Sequence, residues 1–369
     1  METSRSSRNR AFPPRASTAN PAIGQEFAEG SLPPWCYTSG RSREEVRVER
    51  RIRVVQYGLG AIGLGIVRIL LERPDVELVG AVDIAPEKAG RDLGELLDGS
   101  PIGLVVTTDP TVAEDADVVL HATQSRLGQV APQILRCVEG HANVISTCEE
   151  LVYPWFHHAE EARRLDAAAR AHGVTVTGVG INPGFAMDLL PVVLTAACRT
   201  VRVIRAERRV DLSQRREALR QKAGVGLTEV EFWSGIEAGV LGHVGLVESV
   251  ALVGAAMGWP LEVIADRVEP VFGERRDEVA GVHQVAYGLV DAQERIRLEL
   301  TMAVGVASLD RISIEGDPSV RVEIPGGLHG DLATCAIAAN AIPIVYSAPP
   351  GVRTVLEFPP IRNAHRAGP

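Results

Sequence analysis

The sequence predicts an α/β protein in two parts: a parallel sheet with crossover helices, then a C-terminal α+β domain on an open, mainly antiparallel sheet. Three observations carry this expectation. Residues 51–70 read RIRVVQYGLGAIGLGIVRIL, an apolar run, a glycine-rich turn and an apolar helical stretch in direct succession. Apolar runs and amphipathic stretches then alternate to about residue 182, the order a parallel sheet with covering helices requires. From about residue 200 onward, segments such as VRVIRAERRVDL and RIRLELTMAV alternate apolar with polar residues, the pattern of strands with one covered face.

The first strand is centred on Val54 and Val55, and Gly58, Gly60 and Gly63, with Ala61 and Ile62 between them, form a G-x-G-x-x-G turn that opens a helix. The first glycine permits a tight turn, the second lets backbone approach a pyrophosphate, and the third allows helix to pack closely on strand. Free N–H groups at the helix start attract phosphate. A second strand, VELVGAVD, ends on Asp83, twenty residues after Gly63. An acid there accepts hydrogen bonds from ribose hydroxyls and repels a 2′-phosphate, so the cofactor expected is NAD or NADP with NAD favoured, a preference that Arg91 softens. Together these features predict a Rossmann dinucleotide-binding domain over 49–182.

LVVTTD and DVVLHATQS read as the third and fourth strands, GQVAPQILRCVEG as a helix and NVISTCEEL as the fifth strand. Pro154 breaks the chain before the helix HHAEEARRLDAAARAHG, for which Gly173 is a C-cap, and GVTVTGVG is the sixth strand. INPGFAMDLLPVVLTAAC is expected to be helical, with Asn182 as N-cap and Pro183 in the first position. The domain over 183–330 then holds helices around 215–258 and the strands VIADRVEPVF, GVHQVAYGLVD, RIRLELTMAV, DRISIEGD and VRVEIPGG. Its open sheet is expected to serve as the interface of a homodimer. GDLATCAIAANAIP, within 331–369, reads as a helix returning to the first domain, whereas residues 1–48, rich in Ser, Arg, Pro and Gly, read as a disordered extension.

Composition narrows the function. A net charge of −9 provides no basic footprint for nucleic acid, and no apolar run is long enough for a membrane span, so the partner expected is a small molecule. Five cysteines without C-x-x-C spacing argue against a disulfide framework and for a reducing cytoplasm. His157 and His158 have no third ligand at suitable spacing, so no metal is expected; they read as a solvated helix start. Only Lys88 and Lys222 among the 38 basic residues are lysines, which argues against a catalytic lysine, since arginine does not titrate in the working range. Lys88 is expected to face solvent.

Ligands of open α/β sheets bind beyond the carboxyl ends of the strands. That places His121, followed by Ala122 and Thr123, the pair Glu149 and Glu150, and Asn182 and Pro183 at the expected site. Adjacent carboxylates in a partly dry cleft repel each other and raise the pKa of one, giving a base usable near neutral pH. Such a base takes a proton from a substrate ammonium; the bland alternative is that both acids merely favour a helix N-terminus. His121 would contact the nicotinamide ribose or titrate during turnover, with a structural donor as the alternative, and His243 would contact substrate or sit solvated at a helix start. Arg215 and Arg216 read as a solvated helix face, with carboxylate binding as the alternative.

From about residue 50 to 362 the chain resembles the 2,4-diaminopentanoate dehydrogenase family, which includes native amine dehydrogenases and shares architecture with dihydrodipicolinate reductases and homoserine dehydrogenases. The resemblance rests on VVQYGLGAIG, AVDIAPEKAGRDLGELL, NVISTCEELVYP, GINPGFAMDLLP, GHVGLVESVAL and IPGGLHGDLATCAIAANAIP, six separated blocks in order. It implies oxidative deamination of a primary amine of the 2,4-diaminopentanoate or 4-aminopentanoate type, or reductive amination of the ketone with ammonia, using NAD(H) or NADP(H). The family glutamate falls on Glu149 or Glu150, Asn182 and Pro183 lie near the nicotinamide, and Phe185, Met187 and His243 fall to the substrate. The lysine-dependent relatives fit less well: no lysine stands close after His157 and His158, and Glu150 stands where homoserine dehydrogenases carry their catalytic lysine. The alternatives are a carbonyl or imine reductase of the dihydrodipicolinate reductase type, and a non-catalytic cofactor-binding sensor.

Overall fold

A computed structural model describes residues 50–273 and 277–363, so the extension expected over 1–48 lies outside the described residues. β1 (Ile52–Tyr57) is an interior strand, parallel to both its neighbours, β2 (Val76–Val82) and β3 (Val118–His121), which is why Val54, Val55 and Tyr57 are all buried. Between β1 and β2, α1 (Ala61–Leu71) buries Gly63, Ile66, Val67 and Leu70, one face of a helix at 3- and 4-residue spacing. α2 (Leu93–Leu96) is a single turn capped by Asp92. α3 (Leu127–Glu139) leads from β3 to β4 (Asn143–Ser146), and α4 (Ala159–His172) leads to β5 (Thr175–Gly178), with Gly173 at its C-cap.

One expected strand is not formed. LVVTTD contributes isolated bridges alone, Val82 to Thr107 and Asp92 to Val105. Its approach is fastened by the Asp92 carboxylate, which accepts the Ile102 and Gly103 N–H groups at 2.9 and 2.8 Å, and Val105 is 58% exposed. A side chain holds this loop where a ladder was expected.

The helix expected from Asn182 starts later. α5 (Leu189–Leu194) is capped by Asp188, whose carboxylate accepts the N–H groups of Gly184 (2.7 Å) and Leu189 (2.6 Å) and the Ser249 hydroxyl (2.7 Å). Residues 182–188 are thereby held as turns ahead of the helix. β6 (Thr200–Asp211) follows, then α6 (Glu217–Lys222), α7 (Glu229–Glu237), started by a Thr228/Glu231 capping box, and α8 (Leu246–Met257).

β7 (Val263–Phe272), β8 (Val279–Val290), β9 (Gln293–Ala303), β10 (Leu309–Asp317) and β11 (Val320–Pro325) complete a second sheet in the order β11-β10-β6-β9-β8-β7. Its pairings are antiparallel except β6 with β9, which is parallel. Ile204, Ala206, Leu298, Leu300 and Ile312 bury its inner face, while Arg205, Glu207, Arg297, Glu299 and Arg311 line the other as a ladder of ion pairs. α9 (Gly330–Tyr346), capped by His329, returns to pack on α1, and β12 (Gly351–Arg353) adds to β5. The first sheet is thus six parallel strands in the order β12-β5-β4-β3-β1-β2, its sixth member coming from the C-terminal region.

Candidate active site

The carboxyl ends of the first sheet and the inner face of the second enclose a cleft of about 380 Å³. Gly60, Ala61, Ile62, Ala122, Thr123, Glu149, Asn182, Pro183 and His243, all expected from sequence, line it. The glycine turn fits a dinucleotide. Gly60 caps α1 with no side-chain hydrogen bond, no acid occupies the first turn, and a Cβ added at Gly60 would meet nothing within 4 Å. The helix N–H groups therefore face open space, the arrangement that binds phosphate. Gly63, by contrast, packs so tightly against the Gly58 carbonyl that any side chain would collide with it.

Asp83 ends β2 with both carboxylate oxygens engaged. It accepts the N–H groups of Leu59 (2.7 Å) and Ala85 (2.9 Å) and the Lys88 ammonium (3.1 Å). Burial raises its carboxyl, but the hydrogen bonds of Ala85, Leu59 and Lys88 outweigh this and hold it below the ordinary range. Lys88, expected to face solvent, is instead the cation at this acid, while Arg91 pairs with Glu95 at 3.8 Å.

The two glutamates of the T-C-E-E block separate completely. Glu150 is 5% exposed and points away from the cleft: its carboxylate accepts the Leu127 N–H at 2.7 Å at the start of α3, and pairs with Arg126 (2.9 Å) and His158 (2.8 Å). Glu149 is half-buried in the cleft wall. Burial raises the Glu149 carboxyl above its usual range; the Lys222 charge and a Ser125 hydrogen bond oppose that rise, and Glu150 adds to it least. The repulsion between neighbours expected from sequence is thus a minor cause, because Glu150 is already engaged by Arg126 and His158.

His121 stands beneath the cleft rather than in it. It is fully buried, its Nδ1 accepting from the Ser146 hydroxyl at 2.9 Å and its Nε2 donating to Gln133 Oε1 at 2.8 Å. Burial pushes its pKa down to about 4, so the ring is neutral and structural. His243 lies in the loop before α8. Asn182 Nδ2 donates to its Nε2 at 3.1 Å and Gln284 Oε1 accepts its backbone N–H at 3.0 Å. Burial, then the charges of Lys222 and Arg208, push it down to about 4, making it a neutral hydrogen-bonding group at working pH. Phe185 and Met187, expected at the substrate, pack instead in the core behind the cleft, Met187 at 1% exposure. His157 is no free helix start either, since its Nδ1 meets the buried Glu248 at 2.9 Å.

Sequence reading missed Arg208 and Lys222 in the cationic wall and gave Arg215 and Arg216 a ligand role only as the alternative. Arg208, Arg215, Arg216 and Lys222 all line the cleft. Arg208 is buried, with its guanidinium donating to both Asp310 oxygens at 2.6 and 2.7 Å and to the Leu328 carbonyl at 2.6 Å. Arg215 and Arg216, expected as a solvated face, pair with Asp331 at 3.5 and 3.3 Å, and the buried Arg215 Nε has no partner among the described residues. Lys222 Nζ reaches Ser125 Oγ at 3.3 Å. Asp331 is therefore occupied by arginines, which leaves Glu149 as the cleft carboxylate with no arginine pairing among the described residues.

Comparison with known proteins agrees in both halves of the chain. Residues 185–367 match the family described as "2,4-diaminopentanoate dehydrogenase C-terminal domain", and residues 52–148 match "Dihydrodipicolinate reductase, N-terminus". The 2,4-diaminopentanoate dehydrogenase of Acetoanaerobium sticklandii is 33% identical over 339 residues, 84% of this chain and 94% of that protein. An amine dehydrogenase of Streptomyces virginiae is 28% identical over 186 residues, 47% of this chain and 51% of its own length. The solved structure of an amine dehydrogenase from Mycobacterium smegmatis superposes with a TM-score of 0.76 at 26% identity, covering 84% of this chain and 97% of that one.

Proposed function

The chain belongs to the 2,4-diaminopentanoate dehydrogenase family and is an NAD(P)-dependent oxidoreductase acting on CH–NH2 groups; we propose that Glu149 is its catalytic base and that its substrate is a small amine carrying a carboxylate. The observation that carries this reading is Glu149 itself, a half-buried carboxylate of raised pKa in the cleft beside the glycine turn. In the deamination direction the substrate ammonium, NAD(P)+ and water give the ketone, ammonium, NAD(P)H and a proton. Glu149 takes the proton that must leave nitrogen before the lone pair can assist C–H cleavage, and returns one to nitrogen in the amination direction. The nicotinamide supplies the two-electron acceptor or donor. Asn182 and neutral His243, hydrogen-bonded to one another, orient groups at the same wall, and neither competes for the proton.

Arg215 and Arg216 are proposed as the carboxylate anchor, because the buried Arg215 Nε–H, without a partner among the described residues, favours an anionic acceptor. This supports a substrate of the 2,4-diaminopentanoate or 4-aminopentanoate type. With ammonium and NADH, 4-oxopentanoate is expected to react with a higher kcat/KM than pentan-2-one, and Arg215→Met should erase roughly tenfold or more of that advantage while sparing pentan-2-one. Equal losses on both ketones would refute the anchor. NAD is proposed as the preferred cofactor on account of Asp83, with Lys88 as the residue that tolerates a 2′-phosphate. A homodimer on the outer face of the second sheet, and ammonia as the co-substrate of amination, are parts of the same proposal.

A further inference from the structure

Lys222 sits at the C-terminal end of α6, in the second domain, yet its Nζ lies 3.3 Å from the Ser125 hydroxyl in the loop that follows β3 of the first domain. Ser125 lines the same cleft wall as Glu149, and its hydroxyl favours the ionised form of that carboxylate. A hydroxyl that accepts from the ammonium keeps its own proton to give to a carboxylate, so Ser125 is suited to relay the field of a second-domain lysine to Glu149 of the first domain. Lys222 is exposed in the open cleft, where water weakens its field. A substrate lying beneath it removes that water and strengthens the interaction at the moment the base is needed.

We propose that Lys222 is a positioning residue that, through Ser125, keeps the Glu149 carboxylate ionised and aimed at the substrate nitrogen. The inference rests on the assignment of Glu149 as base. The other groups around that carboxylate do not serve this purpose. Glu150, on the same turn, opposes ionisation and is itself consumed by Arg126 and His158. Arg208, from β6, is tied to Asp310, His243, from the loop before α8, is neutral, and Cys148 is a buried thiol whose pKa is pushed far up. Lys222 is the charge that favours the ionised form most strongly. It is also the residue type that compositional scarcity argued against, and its role here needs no proton transfer by the lysine.

The test is the pH profile of kcat/KM for deamination of 2,4-diaminopentanoate in the wild-type enzyme, Lys222→Met, Lys222→Arg, Ser125→Ala and Glu149→Gln. Lys222→Met should lose roughly tenfold at neutral pH and recover toward wild type at the alkaline end, because a base stripped of a nearby cation ionises later. Lys222→Arg should restore the wild-type profile and Ser125→Ala should lose less, in the same direction. These two keep the question decidable if the methionine variant folds poorly. Carbon-13 NMR of glutamate side chains, with the Glu149 signal assigned by its absence in Glu149→Gln, should show that carboxyl titrating at higher pH in Lys222→Met. A uniform loss at every pH, or an unmoved Glu149 signal, overturns the role of Lys222. A fully active Glu149→Gln would instead remove the assignment of Glu149 as base, and this inference with it.

Discussion

Glu149→Gln is expected to lower kcat for deamination by about 10³-fold, the range that a positioned general base contributes, while the affinity for NADH is unchanged. Glutamine preserves shape and hydrogen bonding and removes the proton acceptor. The neighbouring change Glu150→Gln should do the opposite. It leaves the cleft intact but weakens the cap on the Leu127 N–H and the pairs with Arg126 and His158, costing about 1–2 kcal/mol of stability with kcat largely retained. Stopped-flow turnover and denaturant titration of both variants separate the two roles. A Glu150→Gln enzyme that is stable but inactive would reverse the assignment.

Arg208→Met is expected to be the most destabilising single change in the cleft wall, by about 3–5 kcal/mol. The Asp310 carboxylate opposite is buried, bonded to the guanidinium and to the Leu328 N–H, and loses its only arginine among the described residues. The cost comes from the stranded charge rather than from the lost pair, so Arg208→Met combined with Asp310→Leu should be the milder lesion. Chemical denaturation of the single and double variants decides it. If the double variant is the less stable, the pair itself is stabilising and the account of this wall is wrong.

The Rossmann half was legible because its signals are local. Glycine spacing, an acid at a strand end and a run of buried valines each follow from the backbone demands of one short segment. Two of the failures share a cause: the hydrogen bonds of one side chain replaced a periodic pattern. Asp92 fastened the loop that periodicity read as a strand, Asp188 held residues 182–188 out of helix, and β12, three residues long, left almost no periodic trace. The pair Glu149 and Glu150 was visible in sequence but not divisible there, since their division depends on Arg126, His158 and Lys222.

The cationic wall shows what an alternating strand can still disclose. Along β6, Ile204, Ala206 and Arg208 share the inner face at two-residue spacing, so an arginine falls on a core position, which marks a buried partner or a site. Lys222 had a second signal in its rarity, one of two lysines in a chain that otherwise uses arginine. Phe185 and Met187 were placed at the substrate by resemblance and lie in the core, because the turns around Asp188 direct them inward.

The central claim is that this cleft makes and breaks a C–N bond, and the most direct measurement is NADH consumption by the purified protein with 4-oxopentanoate, with and without a large excess of ammonium at mildly alkaline pH. Consumption that requires ammonium, with the amine recovered as product, is the expected result. Consumption at the same rate without ammonium, yielding the alcohol, would contradict the claim and assign the cleft to carbonyl reduction.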